Sequence, residues 1–125
     1  MENYINSKWT CKLGQNAIEN WALLDEALGT DYFFHLSCFP SGYAILSKAH
    51  SEALSEAHSE AHSEAHSEAH SEALIWAAEI CKNGTKYRTL KNIKVDYCLC
   101  KNVRKGSLVG EAIFISNRQV KHLYI

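Results

Sequence analysis

Apolar and polar positions alternate in "KWTCKLG" and in "KNIKVDYCLC", the two-residue period of strands with one face against a core. "DYFFHLS" and "YAILS" are short aromatic and aliphatic runs that also read as strands. They are joined through "CFPSG", where Pro40 and Gly42 signal a turn. Between the first strand and this pair, "GQNAIENWALLDEAL" predicts a short helix. Near the end, "EAIFIS" and "QVKHLYI" predict two more strands, linked by the hairpin-like turn "SNRQ". The pattern gives an α+β fold. A single domain over residues 1–125 holds a mixed or mostly antiparallel sheet of about five or six strands and one dominant long helix.

That helix is expected where the pattern changes. Residues 50–74 read "HSEALSEAHSEAHSEAHSEAHSEAL", a His-Ser-Glu-Ala unit repeated almost without variation. Ala and Glu favour helix, and neither Gly nor Pro occurs between Ala44 and Asn83. A continuous helix is predicted from near Ser47 to near Asn83, roughly 55 Å long, with Gly84 as its C-terminal cap. A four-residue period drifts about 40° per unit on a helix with 3.6 residues per turn. No apolar stripe therefore persists along the repeat, and the heptads of a coiled coil are absent. A stripe appears only where the repeat stops, in "LIWAAEICKNG", with Leu74, Ile75, Ala78 and Cys81 at helical spacing. The repeat reads as an elongation of a helix that the domain already has.

Composition narrows the class. The 125 residues are 46% hydrophobic, enough for one modest core. No apolar run approaches the roughly 20 residues that span a bilayer, and "MENYINSKWTCKLG" lacks a signal-like apolar stretch. The expectation is a soluble cytoplasmic protein with no membrane partner. The five cysteines include one close pair, Cys98 and Cys100, with no second pair of ligands beside it. Neither a disulfide framework nor a zinc site is expected.

The near-neutral net charge of −1 hides a sharp asymmetry. Residues 80–125 carry ten Lys and Arg against two acids, Asp96 and Glu111. Residues 47–79 carry one Lys and seven Glu. A basic final third suits a polyanion, although a solvated basic face gives the same composition. In the repeat, His58, His62, His66 and His70 are spaced four apart, as in helical zinc pairs. Two imidazoles make half a tetrahedral site, and the Glu row lies on another side of the helix. Weak, promiscuous metal binding follows, without a dedicated site or a cofactor. The five His among residues 50–74 would titrate around pH ~6.5, moving the charge of the repeat from −6 towards −1 against its six Glu. No nucleophile–base pair or Gly-rich phosphate loop is evident, so no enzyme is expected.

Several flanking motifs together resemble one family. "GQNAIEN", with Gly14, Asn16, Ala17, Glu19 and Asn20, is similar to the G-x-N-A-x-E-N signature of the NFACT-R domain. "DYFFH", with Asp31, Phe33, Phe34 and His35, resembles that family's D-x-W-F-H, Phe33 standing where Trp is usual. "PSGYAIL" resembles its P-G-S-H-V-I-L, with Tyr43 in place of His. "KNVRKG" resembles its K-x-V-K-K stretch, and "VGEAIFIS" and "QVKHLYI" its closing strands. The order holds over nearly the whole chain outside the repeat.

The resemblance implies an RNA-binding module. In large members it is one part of ribosome quality-control factors that engage the large ribosomal subunit and tRNA. This chain is similar to the small, nearly stand-alone members, one type of which is linked to DNA. The expected partner is therefore RNA, as tRNA, rRNA or the ribosome, with DNA as a second candidate. Lys101, Arg104 and Lys105 are the first candidates for phosphate contacts. Lys82, Lys86, Arg88, Lys91 and Lys94 extend the patch around the helix exit. His35 is a candidate for a nucleotide contact or a core histidine. Of Phe33 and Phe34, on opposite faces of one strand, one is expected in the core and the other as a stacking surface. Asn16, Glu19 and Asn20 are candidates for function or for capping. The alternative reading is an interaction or scaffold protein that docks a protein partner through its long acidic helix.

Overall fold

The computed structural model describes residues 1–6, 8–48 and 63–125. Among the described residues, eight strands and two helices form an α+β fold. In chain order they are β1 (Glu2–Ile5), β2 (Trp9–Leu13), α1 (Ala17–Glu26), β3 (Tyr32–Leu36), β4 (Ala44–Lys48) and α2 (Ser63–Asn83). Then follow β5 (Lys94–Leu99), β6 (Val103–Lys105), β7 (Ala112–Phe114) and β8 (Lys121–Tyr124). Six strands make one sheet in the order β1-β2-β4-β3-β5-β8, and β6 pairs with β7 in a second, two-stranded sheet. Every pairing is antiparallel.

The alternation that predicted the strands sorts their side chains onto two faces. One face carries Cys11, Leu13, Phe34, Leu36, Ala44, Leu46 and Val95, and α2 covers it. The helix meets that face through Ala73, Ala77, Ala78, Ile80 and Cys81. Four of these five are small, which lets the helix backbone lie close to the strands. The opposite face carries Phe33, Tyr43, Ile45 and Cys98, and there Leu23 of α1 and Cys100 complete a second core. The small sheet closes that core with Val103, Ala112 and Phe114 packed against it. The rings of Phe33 and Phe114 meet edge to face, with centroids 5.9 Å apart.

Four expectations are corrected. First, helix content is shared by two helices, of 10 and 21 residues, rather than held by one dominant helix. Ser47 and Lys48 belong to β4, paired with Thr10 and Trp9 of β2, so no helix begins there. The part of the predicted helix over residues 49–62 lies outside the described residues, as do His50, His58 and His62. Second, the core stripe of α2 is rotated from the predicted one. Ala73, from the last repeat unit, is buried, whereas Ile75 is 44% exposed. Third, Gly84 is not a left-handed cap, since among the described glycines only Gly110 has positive φ. Gly84 is instead a spacing residue, because a Cβ there would meet Leu13 Cδ2 at 2.7 Å.

Fourth, "EAIFIS" and "QVKHLYI" do not form a hairpin. Residues 117–119 form a 3-10 turn, and β7 and β8 enter different sheets. Asn102 causes the split. Its buried side chain accepts from Ser116 N at 2.9 Å and donates to Ser116 O at 2.9 Å. That doubly bonded amide holds the chain at the small sheet before β8 crosses to β5.

Candidate functional site

The GQNAIEN segment is built from the inside out. Asn16 caps α1, its Oδ1 accepting from Glu19 N at 2.9 Å. Gln15 N–H, one residue before the cap, donates to Glu19 Oε1 at 3.0 Å and adds a second tie across the helix start. Asn20 is buried, and its Oδ1 accepts Tyr43 N–H at 3.1 Å, fastening α1 to β4. Gly14 N donates to Tyr43 O at 2.9 Å, so both backbone groups of Tyr43 are held by this segment. A side chain on Gly14 would strike Asn20. Ala17 is small because Gly110 packs on it. A Cβ on Gly110, whose φ is 88°, would lie 2.6 Å from Ala17 Cβ. The Tyr43 hydroxyl donates to Gly110 O and closes the circuit.

These contacts frame an open cleft of about 610 Å³. Its walls are Asn16, Ala17 and Asn20 of α1, the turn at residues 40–42, residues 84–87 after α2, and Val109 with Gly110. Among the described residues, no carboxylate side chain lines it. Lys86 is its basic residue, with Nζ 5.5 Å from the Tyr87 ring centroid. Tyr87 is steadied by Phe39, ring centroids 4.3 Å apart. Sequence reasoning named Lys86 and the α1 residues but not Thr85, Tyr87 or Gly110. The folded approach of three distant segments is what gathers them.

The other basic residues lie in two further groups. Lys101 is exposed on the 3-10 turn at Cys100–Asn102, and Arg104 and Lys105 are exposed on β6. Lys105 is committed to α1. Its Nζ lies 2.6 Å from Asp25 Oδ1 and 5.0 Å from the Trp21 ring centroid. Trp21 in turn donates from Nε1 to Glu111 O at 2.9 Å. This leaves Lys101 and Arg104 as the cations of that group without a carboxylate partner among the described residues. Arg88 and Lys91 are exposed after α2, whereas Lys82 and Lys94 are half-buried.

The aromatic strand turns inward. Phe33 and Phe34 are both buried, at 1% and 0% exposure, one in each core. The expectation of an open stacking ring is corrected: a two-sided sheet with a helix on each face consumes both. His35 is half-buried, its ring parallel to Phe33 at 6.5 Å and edge-on to Tyr43 at 5.4 Å. Burial lowers its pKa below the usual histidine value, partly opposed by Asp96. Asp96 pairs across the sheet with His35 on one side and His122 on the other. Its Oδ1 lies 2.7 Å from His122 Nδ1. Asp31 closes a turn, its Oδ2 accepting Leu28 N–H at 2.9 Å and its carbonyl accepting Cys100 N–H at 2.7 Å.

No described helix is long and apolar enough to cross a membrane. Among the described residues, no three His, Cys, Asp or Glu side chains gather as a metal site.

No protein-family profile matches the chain, and no curated protein matches it in sequence. Among solved structures, the C-terminal part of the fibronectin/fibrinogen-binding protein from Streptococcus suis (FBPS) is similar. It matches 99% of this chain with a TM-score of 0.68 and 20% identity. The likeness is one of fold, and this chain spans 44% of that structure's chain.

Proposed function

We propose that this chain is a non-catalytic nucleic-acid-binding module whose ligand is RNA, in the setting of tRNA or the ribosome. One observation carries the reading. Of the ten Lys and Arg in residues 80–125, eight are exposed, and among the described residues only Lys105 is held by a carboxylate. Exposed cations without carboxylate partners are free to neutralise phosphates, and they give affinity that depends on salt. The NFACT-R-like motifs support the same reading. Four of their residues, Gly14, Asn16, Ala17 and Asn20, build the cleft and its frame. Lys101 and Arg104 are the residues assigned to phosphate contact.

The test is binding of structured RNA, single-stranded RNA and duplex DNA to the full chain and to a variant lacking residues 55–70, at two salt concentrations. Salt-sensitive RNA binding that the deletion keeps supports the module. If binding of any macromolecule is lost with the deletion, the acidic repeat is the working part, as in the scaffold reading. Tighter binding to duplex DNA than to RNA assigns the module to DNA.

A further inference from the structure

The cleft between α1 and the segment after α2 has a chemistry that its structural role does not use. Asn20 is only 8% exposed, yet it lines the cleft. Its Oδ1 is fixed by the Tyr43 N–H, which assigns the other amide atom as nitrogen. That Nδ2 has no partner among the described residues. No buried side-chain polar atom among them is left without one, so Nδ2 is not sealed in. It opens onto the space that Asn20 borders. A donor at the cleft surface with no protein acceptor is available to a ligand.

The surroundings complete the case. Asn16 spends its Oδ1 on the helix cap, which leaves its amide hydrogens for the cleft. Lys86 adds a cation, and the first turn of α1 adds a backbone donor at Ala17. No carboxylate opposes them. Tyr87 and Pro40 supply apolar wall. The volume of about 610 Å³ is within the range of clefts that take small ligands. Donors and apolar wall in one cleft match an anion joined to a planar, partly apolar body.

We propose that this cleft holds a nucleoside monophosphate, the 5′-phosphorylated end of a nucleic-acid strand. Asn20 Nδ2 and Lys86 Nζ meet the phosphate, and Tyr87 packs against the nucleoside. The inference deepens the nucleic-acid reading and rests on it for the strand, but not for the pocket. The loop that carries Gly110 follows directly on β6, the strand that carries Arg104.

The experiment is a titration of the isotope-labelled full chain with 5′-AMP, adenosine and inorganic phosphate, read by backbone amide shifts. A second arm compares a short RNA bearing a 5′-phosphate with its 5′-hydroxyl twin. Two variants are used. Asn20→Asp keeps the acceptor for Tyr43 N–H but puts a negative charge where the donor was, and Lys86→Ala removes an exposed cation. AMP should shift the amides of Asn16, Asn20, Lys86 and Tyr87, and bind better than adenosine or phosphate. Each variant should weaken AMP by about tenfold or more, with the amide shifts of the paired Leu36 and Val95 in the central sheet unchanged as proof of fold. The 5′-phosphorylated RNA should outbind its twin. AMP that shifts none of these amides, or binds Asn20→Asp as well as the parent, overturns the pocket. Salt-sensitive RNA binding in that case leaves the module standing without it. AMP bound in the cleft with no RNA binding at all keeps the pocket, assigns it to a free nucleotide, and removes the module.

Discussion

Gly42 lies against Gly14 so closely that a Cβ on Gly42 would overlap the Gly14 carbonyl oxygen. Neither needs a left-handed backbone, since Gly110 is the glycine with positive φ. The pair is a contact of backbone on backbone, where the turn before β4 meets the turn before α1. Gly42→Ala should therefore destabilise the fold by about 1–3 kcal/mol or more. The measurement is the denaturant midpoint, with an unchanged slope. An unchanged midpoint would mean that the two turns are not apposed.

Asn16 is assigned here to capping. Asn16→Ala should lower stability by about 1 kcal/mol, and Asn16→Ser by much less, because a serine hydroxyl also accepts the Glu19 N–H. Equal losses for both would show that the amide does something that a cap does not.

Cys11, Cys81 and Cys100 are pushed up to about 12 by burial, and burial raises Cys98 as well. Cys38 is exposed. Iodoacetamide at about pH 8 attacks thiolates, so the folded chain should take one label, at Cys38, and the unfolded chain five. Peptide mapping by mass spectrometry reads the sites. Labelling of Cys81 in the folded chain would mean that α2 does not seal the sheet.

His35 binds its proton less readily in the fold than in the unfolded chain, because burial disfavours the imidazolium. The unfolded state therefore takes up more protons as the pH falls, and stability must fall with it. The contribution is complete above about pH 6.5 and is lost on acidification below that value. His35→Gln should flatten the stability profile between about pH 7.5 and 5.5, measured by melting at each pH. A profile as steep as the parent's would place the titration elsewhere.

Much of the fold was legible because its strands keep their period. Trp9–Leu13, Tyr32–Leu36 and Lys94–Leu99 lie inside runs that alternate or are rich in aromatic and aliphatic residues, and Ala44–Lys48 does so except at its last residues, which read as the start of a helix. Glu2–Ile5 was missed because every residue of this edge strand is exposed, so no buried face marks it. Val103–Lys105 was missed because three residues are too few to show a period. The hairpin of β7 and β8 was misread because Asn102, far away in sequence, overrides the local turn. Of the candidate site, the cations were legible by charge alone. That Lys105 is tied to Asp25 and Trp21, and that Phe33 and Phe34 are both core, depends on tertiary packing. The cleft was invisible for the same reason: Asn20, Gly42, Lys86 and Gly110 meet only when α1, β4 and the exit of α2 are folded together.

We propose that surface cations on the small sheet and its turn hold nucleic-acid phosphates. The most direct measurement is the affinity of the full chain and of the double variant Lys101→Glu, Arg104→Glu for one RNA duplex over a range of salt. Parent binding should weaken steadily with salt, at about 0.9 log units per log unit of salt for each phosphate contacted. In the variant, binding should be weaker and the slope shallower by about 2, with an unchanged melting temperature. A variant that matches the parent in affinity and slope would contradict it.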